Sequence, residues 1–243
     1  MIKEDEGFYF GLGAFETIAV EDQIPQFFCQ HMERLQKTLQ YFQLPVQIKK
    51  VENQAEQFLQ KEVFRQGRKV LKIAVSEKNI VCSVRENPYQ EKDYLCGFTA
   101  EFSAVRRNET SPLTYHKTLN YGDCILEKRR AVRENFQEAV FLNTRGEIAE
   151  GTCSNVFFWS QGHIIAPPLS CGMLPGIIRQ YIYEHYPVIE KNIKPEQVSD
   201  YEEMFLTNSL FGIMPVKKLG GHTFSSMKAG RALAEKFYQG SRP

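Results

Sequence analysis

The spacing of apolar residues along the first half of the chain predicts both strands and helices. Two apolar runs at residues 14–20 and 24–28 are joined by a polar turn, which predicts two paired strands. Apolar residues then recur at helical spacing ahead of a proline, at positions 32, 35, 39 and 42. The same reasoning predicts a second helix over residues 51–64 and strands over 70–75, 80–84 and 97–105.

In the second half, strands follow one another in hairpins. The pattern predicts strands over 139–142, 156–159, 163–165, 204–207 and 213–216, and helices over 121–134, 176–183 and 229–238. Hairpins rather than regular strand–helix alternation favour an α+β fold with mostly antiparallel or mixed sheets. Residues 106–113 are polar and lack periodicity, which indicates a connection between two domains, 1–106 and 107–243.

Composition narrows the range of functions. The 243 residues carry a formal net charge of +1, so no overall field attracts nucleic acid or an anionic membrane. No apolar run is long enough to span a bilayer, and the acidic N-terminus lacks the apolar core of a signal peptide. The six cysteines form no Cys-x-x-Cys pair, so neither a disulfide framework nor a zinc site is expected. We therefore expect a cytoplasmic protein that acts on a small molecule.

Four segments carry side chains suited to chemistry. Lys117 lies among polar and aromatic residues just ahead of a helix, where a shielded amine can form an imine. Glu150 precedes a glycine, so its carboxylate could approach a ligand closely. The Leu-Pro-Gly turn at 174–176 opens a helix whose free N–H groups suit an anion, and residues 207–209 (Thr-Asn-Ser) end a strand with hydrogen-bonding groups.

Each of these segments also has an ordinary structural interpretation. Lys117 on its own is more simply a surface lysine, Glu150 an exposed acid at a strand end, and the turn at 174–176 a helix start. The Gly-Leu-Gly at 11–13 is not a dinucleotide loop, because the third glycine is missing and a strand follows. The five histidines form no metal-binding pattern. Together, however, the segments supply an amine, an acid and two anion-binding turns, which a phosphate-bearing aldehyde cofactor needs.

The order of motifs resembles the class IV aminotransferase family, the fold-type IV pyridoxal-phosphate enzymes. The resemblance covers nearly the whole chain and rests on the motifs GAFET at 13–17, HMERL at 31–35, KTLNY at 117–121, EGTCSN at 150–155 and LPGIIR at 174–179. It implies a two-domain α+β enzyme, with a small N-terminal α/β domain and a larger C-terminal mixed-sheet or pseudobarrel domain that binds pyridoxal 5'-phosphate. It also implies a homodimer.

The resemblance further implies a role for each matching residue. Lys117 matches the lysine that holds the cofactor as a Schiff base, and Glu150 matches the acid that pairs with the pyridine nitrogen. Arg34 and the backbone amides of the helix start match groups that bind the phosphate. These amides are those of Ile177 and Ile178, and the remaining cofactor contacts implied are Tyr121 and Ser209.

Within the family, the segment at 206–216 and residues 106–108 resemble the aminodeoxychorismate lyase branch. That likeness implies cleavage of 4-amino-4-deoxychorismate to p-aminobenzoate and pyruvate, with Thr17 assisting proton transfer and Asn208 binding substrate. The alternative is an aminotransferase of the same fold that acts on D-amino or branched-chain amino acids. The arginine that family members often carry after the strand at 70–75 is absent here, and Arg85 or Arg107 could replace it.

Overall fold

The computed structural model describes residues 2–240, which divide into two compact units. The first contains the described residues up to Pro88 together with His116–Tyr121. The second contains Tyr89–Tyr115 and the described residues from Gly122 onward. Among residues 2–240, no helix has both the length and the apolar character needed to cross a bilayer.

The first unit is an antiparallel sheet covered on one face by helices. Its elements are α1 (Glu6–Phe10), β1 (Gly13–Glu21), β2 (Ile24–Pro25), α2 (Phe28–Tyr41), α3 (Ile48–Leu59), β3 (Arg68–Ser76) and β4 (Ile80–Glu86). The strand order is β2-β1-β3-β4, and every pairing is antiparallel. The core uses alternate strand residues, Ile18, Leu71 and Ile73 among them, packed with Leu35 of α2. The period-two pattern of the sequence therefore describes this core face correctly.

Two of the predicted elements are shorter than expected. The predicted strand over residues 24–28 is wrong beyond Pro25, because Phe27 takes a left-handed backbone conformation (φ 54°) and α2 begins at Phe28. The predicted helix over 51–64 begins earlier, at Ile48, and ends at Leu59. Residues Glu62–Phe64 form a separate 3₁₀ turn that buries Phe64 completely.

The second unit is built on a ring of six strands. Its strands are β5 (Phe98–Arg107), β6 (Glu138–Asn143), β7 (Ile148–Gly151), β8 (Asn155–Ser160), β9 (His163–Ala166), β10 (Val188–Glu190), β11 (Glu203–Asn208), β12 (Gly212–Leu219) and β13 (His222–Thr223). Its helices are α4 (Glu91–Cys96), α5 (Gly122–Arg133), α6 (Ile177–His185) and α7 (Lys228–Gly240). Strands β8-β11-β12-β5-β6-β7 pair in that order, and β7 pairs with β8 to close the ring.

Parallel and antiparallel pairs are mixed in the ring. β5 runs parallel to both β6 and β12. The other neighbouring strands of the ring pair antiparallel. Large aromatic side chains are fully buried in this unit, among them Phe141, Phe157, Phe158, Phe205 and Phe211. The prediction of an α+β fold with a small α/β part and a larger mixed-sheet pseudobarrel is confirmed.

The chain passes between the units at 88/89, 115/116 and 121/122. The boundary predicted after residue 106, with a connection over 106–113, does not coincide with any of these three crossing points. Arg106 and Arg107 are not part of an irregular connection, because they complete β5 by pairing with Leu142 and Asn143 of β6. The short polar stretch after Arg107 also remains within the second unit.

A buried aspartate joins the start of the chain to the sheet of the first unit. One carboxylate oxygen of Asp5 accepts a hydrogen bond from the Phe8 N–H at 3.0 Å and so caps α1. The other oxygen accepts from the Ser76 hydroxyl at 2.6 Å, the Lys78 N–H at 2.9 Å and the Asn79 amide at 2.8 Å. Burial acts to raise the pKa of Asp5, but these hydrogen bonds outweigh it and lower the pKa to about 2.

We expect Asp5→Asn to reduce stability at neutral pH and to have little effect in acid. The folded pKa of Asp5 lies below the value of about 3.9 for an unfolded aspartate, so its contribution is present above that pH and disappears as the pH falls towards 2. The unfolding temperature of Asp5→Asn should lie about 3 °C below that of the unmodified protein at pH 7. Exposed Asp200, changed to Asn, is the control. An offset for Asp5→Asn that does not shrink in acid contradicts the assignment.

Candidate functional site

Residues 116–121 add a short edge to the sheet of the first unit. The Phe15 N–H donates to the Lys117 carbonyl at 2.9 Å, and the Leu119 N–H donates to the Gly13 carbonyl at 2.9 Å. Ala14 and Thr118 form an antiparallel bridge between these two bonds. The backbone of Lys117 is therefore fixed directly against β1, although the two segments are about a hundred residues apart in sequence.

The glycines at 11 and 13 make this pairing possible. A Cβ at Gly13 would lie 2.6 Å from Leu119 Cδ1 and 2.5 Å from the Val75 carbonyl oxygen. Gly11 has φ +69°, and its carbonyl accepts a hydrogen bond from the Asn120 side chain at 2.9 Å. The Gly-Leu-Gly sequence is thus explained by the close approach of 119–120 to the start of β1, and a strand does follow it, as expected.

The Lys117 side chain lies against two aromatic rings. Its Nζ is 4.5 Å from the centre of the Phe15 ring and 5.1 Å from the centre of the Tyr121 ring. The two rings meet edge to face, with centres 5.1 Å apart. On the adjacent residue, the His116 imidazole stacks on Tyr41 at 4.3 Å between ring centres. An amine packed against aromatic faces is partly shielded from water, which suits a lysine that forms an imine.

Arg34 is held by a completely buried carboxylate. Its Nε donates to Glu16 Oε1 at 2.8 Å and its Nη2 to Glu16 Oε2 at 2.7 Å, while His31 Nδ1 lies 2.6 Å from Oε2. Burial acts to raise the pKa of Glu16, but the Arg34 charge and the His31 contact lower it to about 2. Burial lowers the pKa of His31, which favours a neutral ring that donates from Nδ1. The orientation of the Arg34 guanidinium is therefore set by Glu16.

In the second unit, Glu150 is a buried carboxylate with two kinds of partner. Its Oε1 pairs with the Arg107 guanidinium at 2.7 Å, and its Oε2 accepts from the Leu174 N–H at 3.0 Å. Only 5% of the residue is exposed. Arg107 thus acts as a counter-charge for Glu150, a role that the sequence did not indicate.

The start of α6 lies beside the ends of two strands. The helix begins at Ile177, and Gly176 provides no side chain to cap its first N–H groups. A Cβ at Gly176 would lie 2.0 Å from Asn155 Oδ1, so any other residue there would displace the Asn155 side chain. Asn155 is the cross-strand partner of Thr207, whose buried hydroxyl has no hydrogen-bond partner among residues 2–240. The two anion-binding turns proposed from sequence are thus adjacent within this unit.

Asn208 uses its side chain to shape the turn after β11. Its Oδ1 accepts from the N–H groups of Leu210 and Phe211 at 2.9 and 3.0 Å, and its Nδ2 donates to the Cys153 carbonyl at 3.1 Å. Ser209 follows in the same turn and is partly buried. Substrate binding by Asn208 and phosphate binding by Ser209 stay predictions.

A second buried acid, Glu138, supports the loop that follows Glu150. Its carboxylate accepts from the Thr152 N–H at 3.1 Å, the Ser154 hydroxyl at 3.1 Å and the Cys153 thiol at 3.3 Å. The Thr152 hydroxyl donates to it as well. Glu138 is itself fully buried at the start of β6. It fixes the loop between Glu150 and Asn155.

Of the residues singled out from sequence, Lys117, Thr17, Arg34 and Tyr121 lie in the first unit. Glu150, Ile177, Ile178, Asn208 and Ser209 lie in the second. Sequence reasoning assigned no role to Glu16, His31 or Glu138. Glu16 had a usable signal, because an acid between Ala14 and Ile18 at period-two spacing lies on the apolar face of its strand.

Comparisons with known proteins agree over most of the chain. A family model described as "Amino-transferase class IV" matches residues 13–219. A probable branched-chain-amino-acid aminotransferase of Thermotoga maritima is 26% identical over 226 residues, covering 90% of this chain and 82% of the relative. The aminodeoxychorismate lyase of Bacillus subtilis is also 26% identical, over 235 residues, covering 88% of this chain and 80% of the relative.

Solved structures show the same fold. The crystal structure of a putative 4-amino-4-deoxychorismate lyase from Legionella pneumophila superposes with a TM-score of 0.85 at 24% identity, covering 98% of this chain and 95% of that one. The branched-chain amino acid aminotransferase of Escherichia coli superposes with a TM-score of 0.82 at 19% identity, covering 98% and 88%. At these identities the likeness concerns the fold alone.

We expect Glu16→Gln to destabilise the protein by about 3 kcal/mol, because it leaves the Arg34 charge without its buried counter-charge. Urea unfolding followed by circular dichroism measures the effect. Glu33→Gln is the matched control, since Glu33 lies exposed on the same helix as Arg34. Equal unfolding midpoints for Glu16→Gln and Glu33→Gln would refute the buried pair.

Proposed function

The chain belongs to the class IV aminotransferase family, whose enzymes use pyridoxal phosphate, and on that premise we propose that it is a 4-amino-4-deoxychorismate lyase. It would convert aminodeoxychorismate to p-aminobenzoate and pyruvate. At the coarser level the chain is a pyridoxal-phosphate enzyme of a family that contains both aminotransferases and lyases.

The residues present fit the cofactor. The uncapped first turn of α6 supplies the N–H groups of Ile177 and Ile178, and the unpartnered Thr207 hydroxyl lies in the strand next to it, so an anion such as phosphate would satisfy both. Arg34, oriented by Glu16, would add a guanidinium to the phosphate. Lys117 would hold the aldehyde carbon, with Tyr121 and Ser209 as further contacts.

Glu150 would hold the proton on the ring nitrogen. Its burial and its pairing with Arg107 hold the carboxylate in one orientation, which suits an acceptor for a cationic N–H. When bound, pyridoxal phosphate supplies an electron sink for the carbanion formed at the amine-bearing carbon of the substrate. Arg107 and the Leu174 N–H would keep the Glu150 oxygens in place during this change of charge.

Lys117 would act as the base for the reaction. Its neutral amine would remove the proton on the amine-bearing carbon of the substrate. The bond from the neighbouring carbon to the enolpyruvyl oxygen then breaks, and the six-membered ring becomes aromatic. Thr17 would donate a proton to the departing group, which leaves as pyruvate. Substrate binding at the strand end would use Asn208.

The observation that carries the lyase proposal is the position of Thr17. Residues 15 and 17 project from the same face of β1, because side chains alternate along a strand. The Lys117 amine lies over the Phe15 ring on that face. A hydroxyl on the same face as the amine supports a proton relay to the leaving group, which an aminotransferase does not need. The likeness of residues 206–216 to the lyase branch supports the same proposal.

An aminotransferase acting on branched-chain or D-amino acids is the second candidate. The aminotransferase of Thermotoga maritima is as similar in sequence as the lyase of Bacillus subtilis, at 26% identity each. Such an enzyme would use the same Lys117 and Glu150 but would return the proton to the cofactor and release an oxo acid.

Pyruvate release from aminodeoxychorismate separates the two activities. We expect stoichiometric pyruvate and p-aminobenzoate from the unmodified protein, and no comparable amino transfer from D-alanine or leucine to 2-oxoglutarate. Lys117→Ala should reduce pyruvate release by more than about 10³-fold, because the base is lost. Lys50→Ala, at an exposed position of α3, is the control. Efficient amino transfer without pyruvate release would sink the lyase proposal and favour the aminotransferase.

A further inference from the structure

The sheet of the first unit has two chemically different faces. Glu16 and the apolar residues around it point towards α2 and α3. Phe15 and Thr17 point the other way, and their cross-strand partners on β3 are Ala74 and Lys72. Side chains directly opposite each other in an antiparallel pair project to the same side. Lys72 therefore shares its face with Phe15 and Thr17.

A polar row crosses three strands on this face. Lys72 is the direct partner of Thr17 on β1 and of Ser83 on β4. The Lys72 Cβ therefore lies between two hydroxyl-bearing residues, with about 5 Å between the Cβ atoms of neighbouring strands. All three side chains can donate hydrogen bonds to an anion.

No acidic side chain among the described residues 2–240 forms an ion pair with Lys72. It is exposed, whereas Lys69 on the same strand projects to the opposite face and pairs with Glu86. On β1, Glu16 is next to Thr17, the cross-strand partner of Lys72. Its side chain is buried on the helix side of the sheet and is bound by Arg34 and His31. Within residues 2–240, no ion pair neutralises the charge of Lys72.

The amines of Lys72 and Lys117 both contact the Phe15 ring. Lys72 Nζ is 4.8 Å from the centre of the Phe15 ring, and Lys117 Nζ is 4.5 Å from it. Two amine-bearing side chains that share one ring create a local positive potential, and this favours an anion close to the reacting amine. A purely structural cation–π contact would not require a second lysine on this ring.

We propose that Lys72, flanked by the Thr17 and Ser83 hydroxyls, binds a carboxylate of the substrate. The inference rests on the proposed function, because the ring of aminodeoxychorismate that bears the amine also bears one carboxylate directly and a second carboxylate through its enolpyruvyl ether. The arginines considered from sequence are engaged elsewhere. Arg107 is bound to Glu150, and Arg85 donates to the Glu86 carbonyl. Lys72 supplies a positive charge on the Phe15 ring that Lys117 also contacts.

Chorismate tests this binding without turnover. It has the two carboxylates of the substrate but a hydroxyl in place of the amine, so it cannot displace Lys117. Calorimetric titration of the cofactor-loaded protein with chorismate gives the dissociation constant directly. We expect Lys72→Met to weaken chorismate binding by about 10- to 100-fold, the loss typical of a hydrogen bond to a charged group. Lys72→Arg, which keeps the charge, should restore most of the affinity.

Lys69→Met is the matched control, since it removes a lysine from the same strand but from the opposite face. It should leave the dissociation constant unchanged. Titration with p-aminobenzoate, which has only the ring carboxylate, identifies the group bound. Weaker binding of both ligands in Lys72→Met assigns the ring carboxylate to Lys72, and weaker binding of chorismate alone assigns the enolpyruvyl carboxylate.

The outcomes separate this inference from the proposed activity. Equal chorismate affinities for Lys72→Met and Lys69→Met overturn the role of Lys72, as does an absence of chorismate binding to the unmodified protein. Pyruvate release by the unmodified protein is measured independently. Lys72-dependent chorismate binding without pyruvate release would overturn the lyase assignment and leave the carboxylate site in place.

Discussion

The backbone pairing between residues 13–15 and 117–119 is the constraint on which the chemistry of the first unit depends. Two hydrogen bonds and one bridge fix Lys117 against β1, and the glycines at 11 and 13 leave room for them. Because the pairing sets which way the Lys117 side chain leaves the strand, it also sets the contact of its amine with Phe15. Thr17 and Lys72 share that face through strand alternation alone.

Buried acids organise the remaining candidate residues. Glu16 orients Arg34, Arg107 accompanies Glu150, and Glu138 holds the loop that follows Glu150. A buried carboxylate without such partners would be costly, so each acid requires its donors to adopt one arrangement. Within its own unit, each of Arg34 and Glu150 is therefore oriented before any ligand arrives, which reduces the entropy lost on binding.

Much of the fold could be predicted from local patterns. Alternation gave β1, β3 and β4, helical spacing gave α2, and the hairpin order gave an α+β fold with mixed sheets. The ring of six strands could not be derived in this way, because closure by β7 and β8 depends on pairing between distant segments. The extent of β5 was missed for the same reason, since Arg106 and Arg107 look like a polar linker until β6 pairs with them.

The site was only partly predictable. Lys117 and Glu150 stood out through motif order, whereas single residues gave weak signals. Glu16 and Glu138 escaped notice because acids are usually exposed, and only the fold shows the donors around them. Nothing in the sequence distinguishes Lys72 from other strand lysines. Its proposed role depends on its cross-strand neighbours and on the Phe15 ring that Lys117 also contacts.

The assignment of Lys117 is tested most directly by borohydride reduction of the protein loaded with pyridoxal phosphate, followed by peptide mass spectrometry. Reduction should bleach the visible absorbance and leave one phosphopyridoxyl group on the peptide that contains Lys117. A label on another lysine, Lys72 included, or a chain that binds the cofactor without a reducible bond, would contradict the central claim.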